Sequence, residues 1–402
     1  CINTLRIASY RQIASLSCLG LLLKCVSHSG HLLKAASAVA PPRASGRRLC
    51  GASLKTDVAK IAVLGASGYT GAEVVRLTAL HPNIRVTVLT GDKQAGKNFS
   101  DVFPHLITAT NVPKLVKIDD VDFGDVDAAF CCLPHATTQE IIKKLPSSLK
   151  VVDLSADFRL RDPEVYAEWY GHAHAAVDLQ KEAVYGLTEV YREQVKGARL
   201  LANPGCYPTC SQLPLYPLVK AGLVLPEDIL IDAKSGVSGA GRSAKESNLY
   251  CEIAEGINSY SVGSHRHMPE IEQGLSEAAG QPVRVSFTPH LINMSRGMQC
   301  TMYVKTAPGV TADDLRAHLA STYASEPFVR VLAKGVVPHT RHVRGSNFCL
   351  MNVFPDRLPG RAVVISVIDN LVKGASGQGL QNLNLMMGWE ETTALSQLAM
   401  FP

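Results

Sequence analysis

The fold prediction rests on the stretch KIAVLGASGYTGAEVVRLTAL, residues 60–80. An apolar run at 61–64 predicts a buried strand, and apolar residues at helical spacing from 74 to 80 predict a helix. The loop between them has the spacing GxxGxxG, which lets the backbone approach a pyrophosphate at the helix N-terminus. A second apolar strand at 84–89 completes a right-handed, parallel βαβ unit.

Short strands and helices continue to alternate after this unit, which predicts a doubly wound parallel sheet of the Rossmann type. Strands are expected at 128–133 and 151–154, with a helix at 137–144 between them. We place this domain at residues 57–205. We expect the last segment, 370–402, to complete it with a glycine loop and a helix.

The pattern changes after residue 206 to longer β-branched runs with polar alternation. It predicts an α+β second domain at 206–369, with a mixed or antiparallel sheet and helices on one face. The expected elements are strands at 283–287, 302–305 and 363–368 and helices at 269–279 and 311–324.

Charge separates the first 56 residues from the rest. The chain has a formal net charge of +5, but residues 1–56 carry eight Lys and Arg and no Asp or Glu, so the body has a net charge of about −3. A mildly acidic body argues against nucleic acid and against an anionic membrane as partners. The leader is basic, Ser-rich and acid-free, as organellar transit peptides are, and its apolar run at 13–26 is too short to span a bilayer. A secretory signal is the competing interpretation.

Eleven cysteines are present, seven of them after residue 56. Their odd number and scattered positions fit a reducing compartment, which also speaks against a secretory signal. The adjacent Cys131 and Cys132, and the spacing of Cys206 and Cys210, raise the question of a metal site. No second Cys or His pair completes a zinc pattern, so we expect no metal.

The stretch NPGCYPT, residues 203–209, places a thiol between a Pro-Gly turn and a second proline. At a helix N-terminus a cysteine is accessible, and free backbone N–H groups favour the thiolate, which suits a nucleophile. We expect Pro214 and Pro217 to keep the following helix short or kinked. A buried structural cysteine is the alternative interpretation of Cys206.

A thiol that adds to a carbonyl needs a base, and SHRHMPEIEQGL at 264–275 offers His267 just before a helix that Pro269 and Glu270 mark. The helix N-terminus should hold this imidazole towards its neutral form. A metal-binding or surface histidine pair is the alternative interpretation of the HxH spacing.

Two loops could bind an anion through backbone N–H groups and a guanidinium, KSGVSGAGR at 234–242 and SADFRL at 155–160. Taken singly, each is equally typical of a solvated loop. The end of the second strand carries Asp92, which favours the ribose hydroxyl of NAD. Lys93 and Lys97 beside it favour the 2′-phosphate of NADP, so these residues leave the choice open.

The motifs GASGYTG, LPH at 133–135, SADFR, NPGCYPT, SGVSGAGR, HRHMPE and KGASGQGLQNLN occur in this order over residues 59–390. Together they resemble the N-acetyl-γ-glutamyl-phosphate reductase family of plant and algal plastids, which is related to the aspartate-semialdehyde dehydrogenases. The resemblance implies an NADP-dependent oxidoreductase of arginine biosynthesis that acts on N-acetylglutamyl phosphate and releases phosphate. It also implies a homo-oligomer, dimer or tetramer, whose second domain serves catalysis and dimerisation, in the plastid stroma. The mitochondrial matrix is the alternative location.

By the same resemblance, Cys206 is the nucleophile, His267 the acid/base and Glu270 the residue that orients the imidazole. The resemblance implies NADP contacts at Gly65, Ser67, Gly68, Tyr69, Thr70, Gly71, Lys93, Leu133, Pro134, Asn370 and Gly377. It places the substrate or its phosphate near Ser155, Arg159, Ser235, Gly236 and Arg242.

Two other functions are weighed against this one. An aspartate-semialdehyde dehydrogenase would use the same thiol chemistry on a substrate with a free amino group, although GASGYTG and HRHMPE resemble the reductase more closely. A non-catalytic dinucleotide-binding protein would keep the fold and form no covalent acyl-enzyme. Turnover of each semialdehyde distinguishes the first alternative, and the variant Cys206→Ser distinguishes the second.

Overall fold

The structure is a computed structural model that describes residues 58–402, so the leader predicted at 1–56 lies outside the described residues. The described chain contains two seven-stranded sheets. The strands are β1 Ala59–Leu64, β2 Ile84–Thr90, β3 Leu115–Val116, β4 Ala128–Cys131, β5 Lys150–Asp153, β6 Val184–Tyr185, β7 Leu200–Ala202, β8 Ile229–Gly236, β9 Ile257–Ser259, β10 Val285–Ile292, β11 Met298–Lys305, β12 Val329–Val331, β13 Cys349–Pro355 and β14 Arg361–Ile368. The α-helices are α1 Tyr69–Thr78, α2 Phe99–Val102, α3 Thr138–Ile142, α4 Pro163–Tyr170, α5 Val177–Glu182, α6 Thr188–Gly197, α7 Cys206–Lys220, α8 Tyr250–Ile253, α9 Met268–Ala279, α10 Ala312–Thr322 and α11 Gly377–Met386.

The first sheet is entirely parallel, with strand order β3-β2-β1-β4-β5-β7-β6. Successive side chains of a strand point to opposite faces, so β1 contributes to two cores. Ile61 and Val63 pack with α1 and α11, whereas Ala62 and Leu64 pack with α3. Helices on both faces confirm the predicted doubly wound, Rossmann-type sheet.

The second sheet is mixed, with strand order β12-β13-β14-β11-β8-β10-β9. The pairs β8–β10 and β12–β13 are parallel, and the other neighbours are antiparallel. Leu213 of α7, Leu275 of α9 and Leu319 of α10 are fully buried in the core on one face. On the opposite face the side chains of β8 and β11 are only partly buried, and Tyr303 is 37% exposed. The predicted α+β fold is confirmed, with a mixed sheet.

Helix α7 is not short, because its 15 residues from Cys206 to Lys220 run through Pro214 and Pro217; the expected kink stays a prediction. Each proline deprives the carbonyl four residues earlier of its helical N–H partner. The carbonyl of Cys210 instead accepts a hydrogen bond from Ser366 Oγ at 2.5 Å, and the carbonyl released by the second proline accepts one from a tyrosine hydroxyl at the end of α10. Hydroxyl groups from elsewhere in the chain therefore let the helix continue.

The chain returns to the first sheet after β14. Residues Val372–Ser376 form a π-helical turn, and α11 follows directly. Leu380 and Leu383 of α11 belong to the same core as β1. The domain boundaries placed at 205 and 370 stay predictions.

Candidate active site

The thiol of Cys206 lies where the chain passes from the first sheet to the second. Strand β7 ends at Ala202, and Gly205 is extended (φ −66°, ψ 157°), so that α7 begins with the cysteine itself. The backbone of Gly374, in the π-helical turn, packs against it: a methyl group added at Gly374 would lie 2.9 Å from Cys206 Cβ. Cys206 therefore occupies the predicted helix start, is partly buried, and has the Gly374 backbone against its Cβ.

His267 approaches the cysteine from the residue before α9. A methyl group added at Gly205 would lie 2.5 Å from His267 Nε2, so the edge of the imidazole packs directly against the residue that precedes Cys206. His267 Nδ1 is buried and has no hydrogen-bond partner among the described residues. Burial, together with His265 and the nearby cation of Arg159, lowers the pKa of His267 well below its usual value. The imidazole is neutral at pH 7, the form in which a ring nitrogen can accept a proton.

The carboxylate of Glu270 is 1% exposed and contacts the cysteine's turn. Its Oε1 accepts the backbone N–H of Gly205 at 2.8 Å and the Tyr185 hydroxyl at 2.8 Å, and its Oε2 lies 3.4 Å from Arg159 Nη1. None of its hydrogen bonds within residues 58–402 reaches His267. Glu270 thus holds the backbone before Cys206 and, in the described part of the chain, meets His267 only through Arg159 Nη1, and the expectation that it orients the imidazole stays a prediction.

Arg159 is 6% exposed, and its guanidinium links neighbouring segments of the chain. Its Nε donates to the carbonyl of Asn203 at 2.8 Å, and its Nη2 donates to the carbonyl of Leu154 at 3.0 Å. Its Nη1 lies 3.4 Å from His267 Nε2 and 3.4 Å from the Glu270 carboxylate. The guanidinium thus connects the ends of two strands to both predicted catalytic partners of the cysteine.

Burial raises the pKa of the Cys206 thiol to about 12, while Arg159 and the backbone N–H of Tyr207 act in the opposite direction. The thiol is therefore protonated at pH 7 in this state, and nucleophilic attack requires a proton acceptor at the site. The neutral His267, packed on the preceding glycine, is the candidate acceptor.

The loop at 65–71 has the form that a dinucleotide pyrophosphate needs. Helix α1 begins at Tyr69, and within residues 58–402 no side chain caps it, so its first backbone N–H groups are available to an anion. A methyl group at Gly71 would lie 2.6 Å from Ala66 Cα, which shows how closely the helix packs on the loop. The N–H of Gly65 donates to Thr90 Oγ1 at 2.9 Å and fixes the loop to the end of β2. This loop, together with the start of α1, forms a cradle that fits the dinucleotide predicted from the sequence.

Three further residues expected at the cofactor lie around this loop. Leu133 packs on it, since a methyl group at Gly65 would lie 3.2 Å from Leu133 Cδ2, and Pro134 follows in the chain. Lys93 lies in the exposed 3-10 turn Asp92–Gln94 after β2. Leu133 and Pro134 thus follow β4, Lys93 follows β2, and Leu133 contacts the loop directly.

Asn370 and Gly377 have other surroundings. Asn370 accepts the N–H of Gly297 at 2.8 Å and donates to Ser238 Oγ at 2.9 Å, so it ties together loops of the second sheet. Gly377 is enclosed, because a methyl group there would lie 2.5 Å from Asn347 Oδ1. Gly377 starts α11, next to Ser376, whose Oγ donates to the carbonyl of Thr70 at 2.9 Å, and its contact with the cofactor stays a prediction.

The residues expected near the substrate are not all together. Ser155 Oγ donates to the buried carboxylate two residues earlier at 2.7 Å and orders the turn after β5. Ser235 and Gly236 end β8, and Ser235 Oγ donates to the Gly236 carbonyl at 3.0 Å. Arg242 lies against the glycine loop, where its Nη1 donates to the carbonyl of Ser67 at 2.9 Å.

The sequence analysis did not identify three residues that contact the site. Tyr185 donates to Glu270, and Gln212 Nε2 donates in turn to the Tyr185 hydroxyl at 3.2 Å. Gly374 packs on the cysteine, yet in the glycine run KGASGQG the sequence drew attention to Gly377. Glycine is required where another part of the chain packs closely against the backbone, and this requirement could have pointed to Gly374.

Some structural features bear on what else the chain could bind. The seven cysteines after residue 56 are all free thiols. In the part of the chain that the structure describes, no group of three or more His, Cys, Asp or Glu side chains is arranged to hold a metal ion. None of the helices between residues 58 and 402 is long and apolar enough to cross a membrane.

Comparison with known proteins identifies relatives over the whole described chain. A family model described as the NAD binding domain of semialdehyde dehydrogenase matches residues 60–198, and one described as the semialdehyde dehydrogenase dimerisation domain matches residues 206–370. A protein of Oryza sativa subsp. japonica named "Probable N-acetyl-gamma-glutamyl-phosphate reductase, chloroplastic" is 62% identical over 388 residues, which cover 96% of this chain and 93% of the relative. The protein of the same name from Arabidopsis thaliana is 65% identical over 343 residues, 85% of each chain. An N-acetyl-gamma-glutamyl-phosphate reductase of Rhodospirillum rubrum is 58% identical over 347 residues, 85% of this chain and 98% of the relative.

Solved structures show the same fold. Aspartate semialdehyde dehydrogenase from Candida albicans, solved with NADP, superposes with a TM-score of 0.61 at 17% identity and covers 82% of this chain and 99% of its own. Aspartate semialdehyde dehydrogenase II from Vibrio cholerae, complexed with ASA, gives 0.63 at 16% identity and covers 82% and 98%. At these identities the likeness establishes the two-sheet architecture and nothing about substrate.

Proposed function

Because the chain belongs to the N-acetyl-γ-glutamyl-phosphate reductase family, we propose that it reduces N-acetyl-L-glutamyl 5-phosphate with NADPH, giving N-acetyl-L-glutamate 5-semialdehyde and phosphate in arginine biosynthesis. The observation that carries the proposal is the placement of Cys206. Its thiol begins α7, with His267 Nε2 against the preceding Gly205. The π-helical turn that packs against Cys206 Cβ is tied to the cofactor loop, because Ser376 Oγ donates to the carbonyl of Thr70 at 2.9 Å.

The first step is attack by the thiol. The Cys206 proton passes from Sγ to the neutral imidazole of His267, and the sulfur adds to the acyl carbonyl of the substrate. The backbone N–H of Tyr207, in the first turn of α7, already acts on the thiol and favours negative charge there. The carbon–oxygen bond to the phosphate then breaks, the electron pair leaves with phosphate, and the imidazolium returns its proton to the leaving group. Cys206 now carries a thioester.

The second step reduces this thioester. The hydride is supplied by NADPH when it is bound, and it adds to the carbonyl carbon. The Cys206 thiohemiacetal oxyanion collapses with cleavage of the carbon–sulfur bond, so that the semialdehyde leaves with its carbonyl re-formed. The thiolate then takes up a proton from solvent through His267, which restores the thiol. Throughout, Glu270 keeps the backbone N–H of Gly205 in place, and Arg159 favours the thiolate by its charge. These two residues position the cysteine and do not react.

The residues proposed to hold NADPH are those of the glycine loop, Gly65 to Gly71, with Leu133 and Pro134 beside it. The uncapped start of α1 supplies N–H groups for the pyrophosphate, and the packing of Gly71 on Ala66 supports this role. Five further residues lie at strand ends, in turns or at a helix start and are proposed to shape the site through the hydrogen bonds and backbone packing described above: Ser155, Ser235, Gly236, Asn370 and Gly377.

A coupled assay of the recombinant chain tests the proposal. With N-acetylglutamate semialdehyde and phosphate, we expect phosphate-dependent reduction of NADP⁺, lowered by about 1,000-fold or more in Cys206→Ser because oxygen replaces the activated nucleophile. Cys251→Ser is the matched control, since Cys251 is an exposed thiol on α8, and it should retain full activity. Rapid turnover of aspartate semialdehyde with none of the N-acetylated substrate would instead establish the rival dehydrogenase activity. Full activity of Cys206→Ser would remove the cysteine from the mechanism.

The assembly proposed is a homo-oligomer, a dimer or a tetramer. The match of residues 206–370 to a dimerisation domain supports self-association. The outer face of the second sheet is only partly buried and Tyr303 on it is 37% exposed, so this face offers a surface for it. Light scattering of the wild type and of Tyr303→Glu measures the mass: a wild-type dimer or tetramer that the variant splits is expected, and a wild-type monomer contradicts the proposal.

The location proposed is the plastid stroma. Two plant relatives are named chloroplastic, and residues 1–56 have the acid-free, Ser-rich composition of a transit peptide. A fluorescent protein fused after residue 56 should enter plastids. Import into mitochondria would support the alternative address instead.

A further inference from the structure

Arg242 comes from the second half of the chain, in the loop between β8 and α8, and reaches the first domain. Its Nη1 donates to the carbonyl of Ser67 at 2.9 Å, and its Nη2 donates to the carbonyl of Val102 at 3.3 Å. The guanidinium carbon lies 4.4 Å from the centre of the Phe103 ring. A planar cation held by two carbonyls and an aromatic face has a defined orientation.

These contacts place the guanidinium at the end of β2. A methyl group added at Gly91, the residue after β2, would lie 3.2 Å from Ser67 Cβ and Oγ, so the glycine loop and the strand end are in contact. In a dinucleotide-binding βαβ unit, the residues at this end meet the adenosine ribose, where NAD carries a hydroxyl and NADP a phosphate. Arg242 therefore lies beside the position at which the two cofactors differ.

The first domain by itself does not decide between the two cofactors. Asp92 favours a ribose hydroxyl and Lys93 a phosphate. The Asp92 carboxylate accepts the N–H of Ile118 at 3.4 Å, which turns it towards the loop after β3. The partners of Arg242 within residues 58–402 are carbonyls and a ring, none of which neutralises its charge.

We propose that Arg242 recognises the 2′-phosphate of NADP and so makes the chain prefer NADP to NAD, an inference that rests on the proposed NADP-dependent function. Its side chain is exposed, and a guanidinium has five N–H donors, so donors remain for a phosphate after the two carbonyls are bound. The sequence resemblance placed Arg242 with the substrate; its contacts assign it to the cofactor. The second half of the chain thereby completes the cofactor site of the first.

Calorimetry of the full chain without substrate tests this inference directly. The probes are NADP⁺, NAD⁺, adenosine 2′,5′-bisphosphate and adenosine 5′-monophosphate. We expect Arg242→Gln to weaken binding of the two 2′-phosphorylated probes by about tenfold or more, as loss of a charged hydrogen bond does, and to change the Kd of the other two by less than about twofold. Arg242→Lys keeps the positive charge but loses the paired N–H donors of the guanidinium, so its Kd values for these two probes should lie between those of the wild type and Arg242→Gln.

Lys245→Gln is the matched control, because Lys245 is an exposed cation on the same loop, and it should leave all four Kd values unchanged. Equal weakening of NADP⁺ and NAD⁺ by Arg242→Gln would overturn the inference and assign the guanidinium to the pyrophosphate. Unchanged binding of every probe would overturn it as well. Binding of neither dinucleotide by the wild type would overturn the proposed function together with it, a result distinct from the other two.

Discussion

Glu270 and Gly205 are joined by a hydrogen bond of 2.8 Å, from the backbone N–H that precedes Cys206 to a buried carboxylate. The same carboxylate pairs with Arg159, so it fixes the backbone and the cation that favours the thiolate. Glu270→Gln keeps the shape and removes the charge, and we expect kcat to fall by about 100-fold, as misplacement of a reacting group does. Steady-state kinetics with a thermal-unfolding control measure this.

The matched control is Glu272→Gln, two residues further along α9. Glu272 is also buried, but its carboxylate contacts Arg284 and the backbone N–H of Val285, away from the cysteine. It should retain wild-type kcat. Equal kcat values for Glu270→Gln and the wild type would contradict the positioning role of Glu270.

Gly374→Ala should inactivate the site by steric conflict. The added methyl group would lie 2.9 Å from Cys206 Cβ and 3.2 Å from Ile368 Cδ1, so the cysteine or the π-helical turn must shift. We expect a loss of kcat of about 100-fold, because attack depends on placement within fractions of an ångström. Gly197→Ala, at an open position at the end of α6, should keep full activity. An active Gly374→Ala enzyme would show that this contact is dispensable.

The ion pair of Lys373 and Glu189 is buried next to the same turn. Lys373 Nζ lies 2.6 Å from Glu189 Oε1, and both side chains are 0% exposed. Lys373→Met leaves a buried carboxylate unpaired, and we expect the free energy of unfolding to fall by about 3–5 kcal/mol in urea titrations. Lys373→Met combined with Glu189→Gln should recover part of this loss.

The control for this pair is Lys181, whose ion pair with Asp178 is exposed on both sides. Lys181→Met should change the free energy of unfolding by less than about 1 kcal/mol. A loss in Lys373→Met no greater than in Lys181→Met would contradict the account of the buried pair.

The histidines of the site should make stability depend on pH. Burial, and then the neighbouring Arg266, lowers the pKa of His265 to about 4, whereas its unfolded-state pKa is near 6.5. Below pH 6.5 the unfolded chain binds a proton that the folded chain does not, so this contribution is present above pH 6.5 and is lost as the pH falls towards 4. From pH 7 to pH 5 the loss amounts to about 2 kcal/mol.

His265→Gln removes this titration. The glutamine side-chain oxygen can still accept the backbone N–H of His267, which His265 Nδ1 accepts at 3.0 Å in the wild type. Urea unfolding at pH 7 and pH 5 should therefore show a pH difference smaller by about 2 kcal/mol than in the wild type. His105→Gln, at an exposed position, should keep the wild-type difference. An unchanged difference in His265→Gln would contradict the assignment.

Local patterns in the sequence predicted the βαβ unit and the helix start at Cys206, because strand, glycine loop and helix follow within about twenty residues. Strand β8 was missed, since Asp232 and Lys234 interrupt its apolar residues. In the structure these two side chains lie on the outer face of the second sheet, where alternation of the strand places them.

Long-range partners explain the remaining differences. Helix α7 passes Pro214 because Ser366, more than 150 residues later in the chain, satisfies the carbonyl that the proline releases. Glu270 contacts Gly205, and Arg242 contacts the glycine loop, through folding that brings distant segments together. No spacing within a motif encodes such contacts, so residue types were predictable and their partners were not.

The covalent role of Cys206 is tested most directly by mixing the enzyme with N-acetylglutamate semialdehyde and NADP⁺ in the absence of phosphate. The predicted result is a burst of about one NADPH per chain, as expected when an acyl-enzyme accumulates. Mass spectrometry should show one N-acetylglutamyl group on the peptide that contains Cys206, and addition of phosphate should release it. A burst without any acylated peptide, or acylation of a residue other than Cys206, would contradict the mechanism.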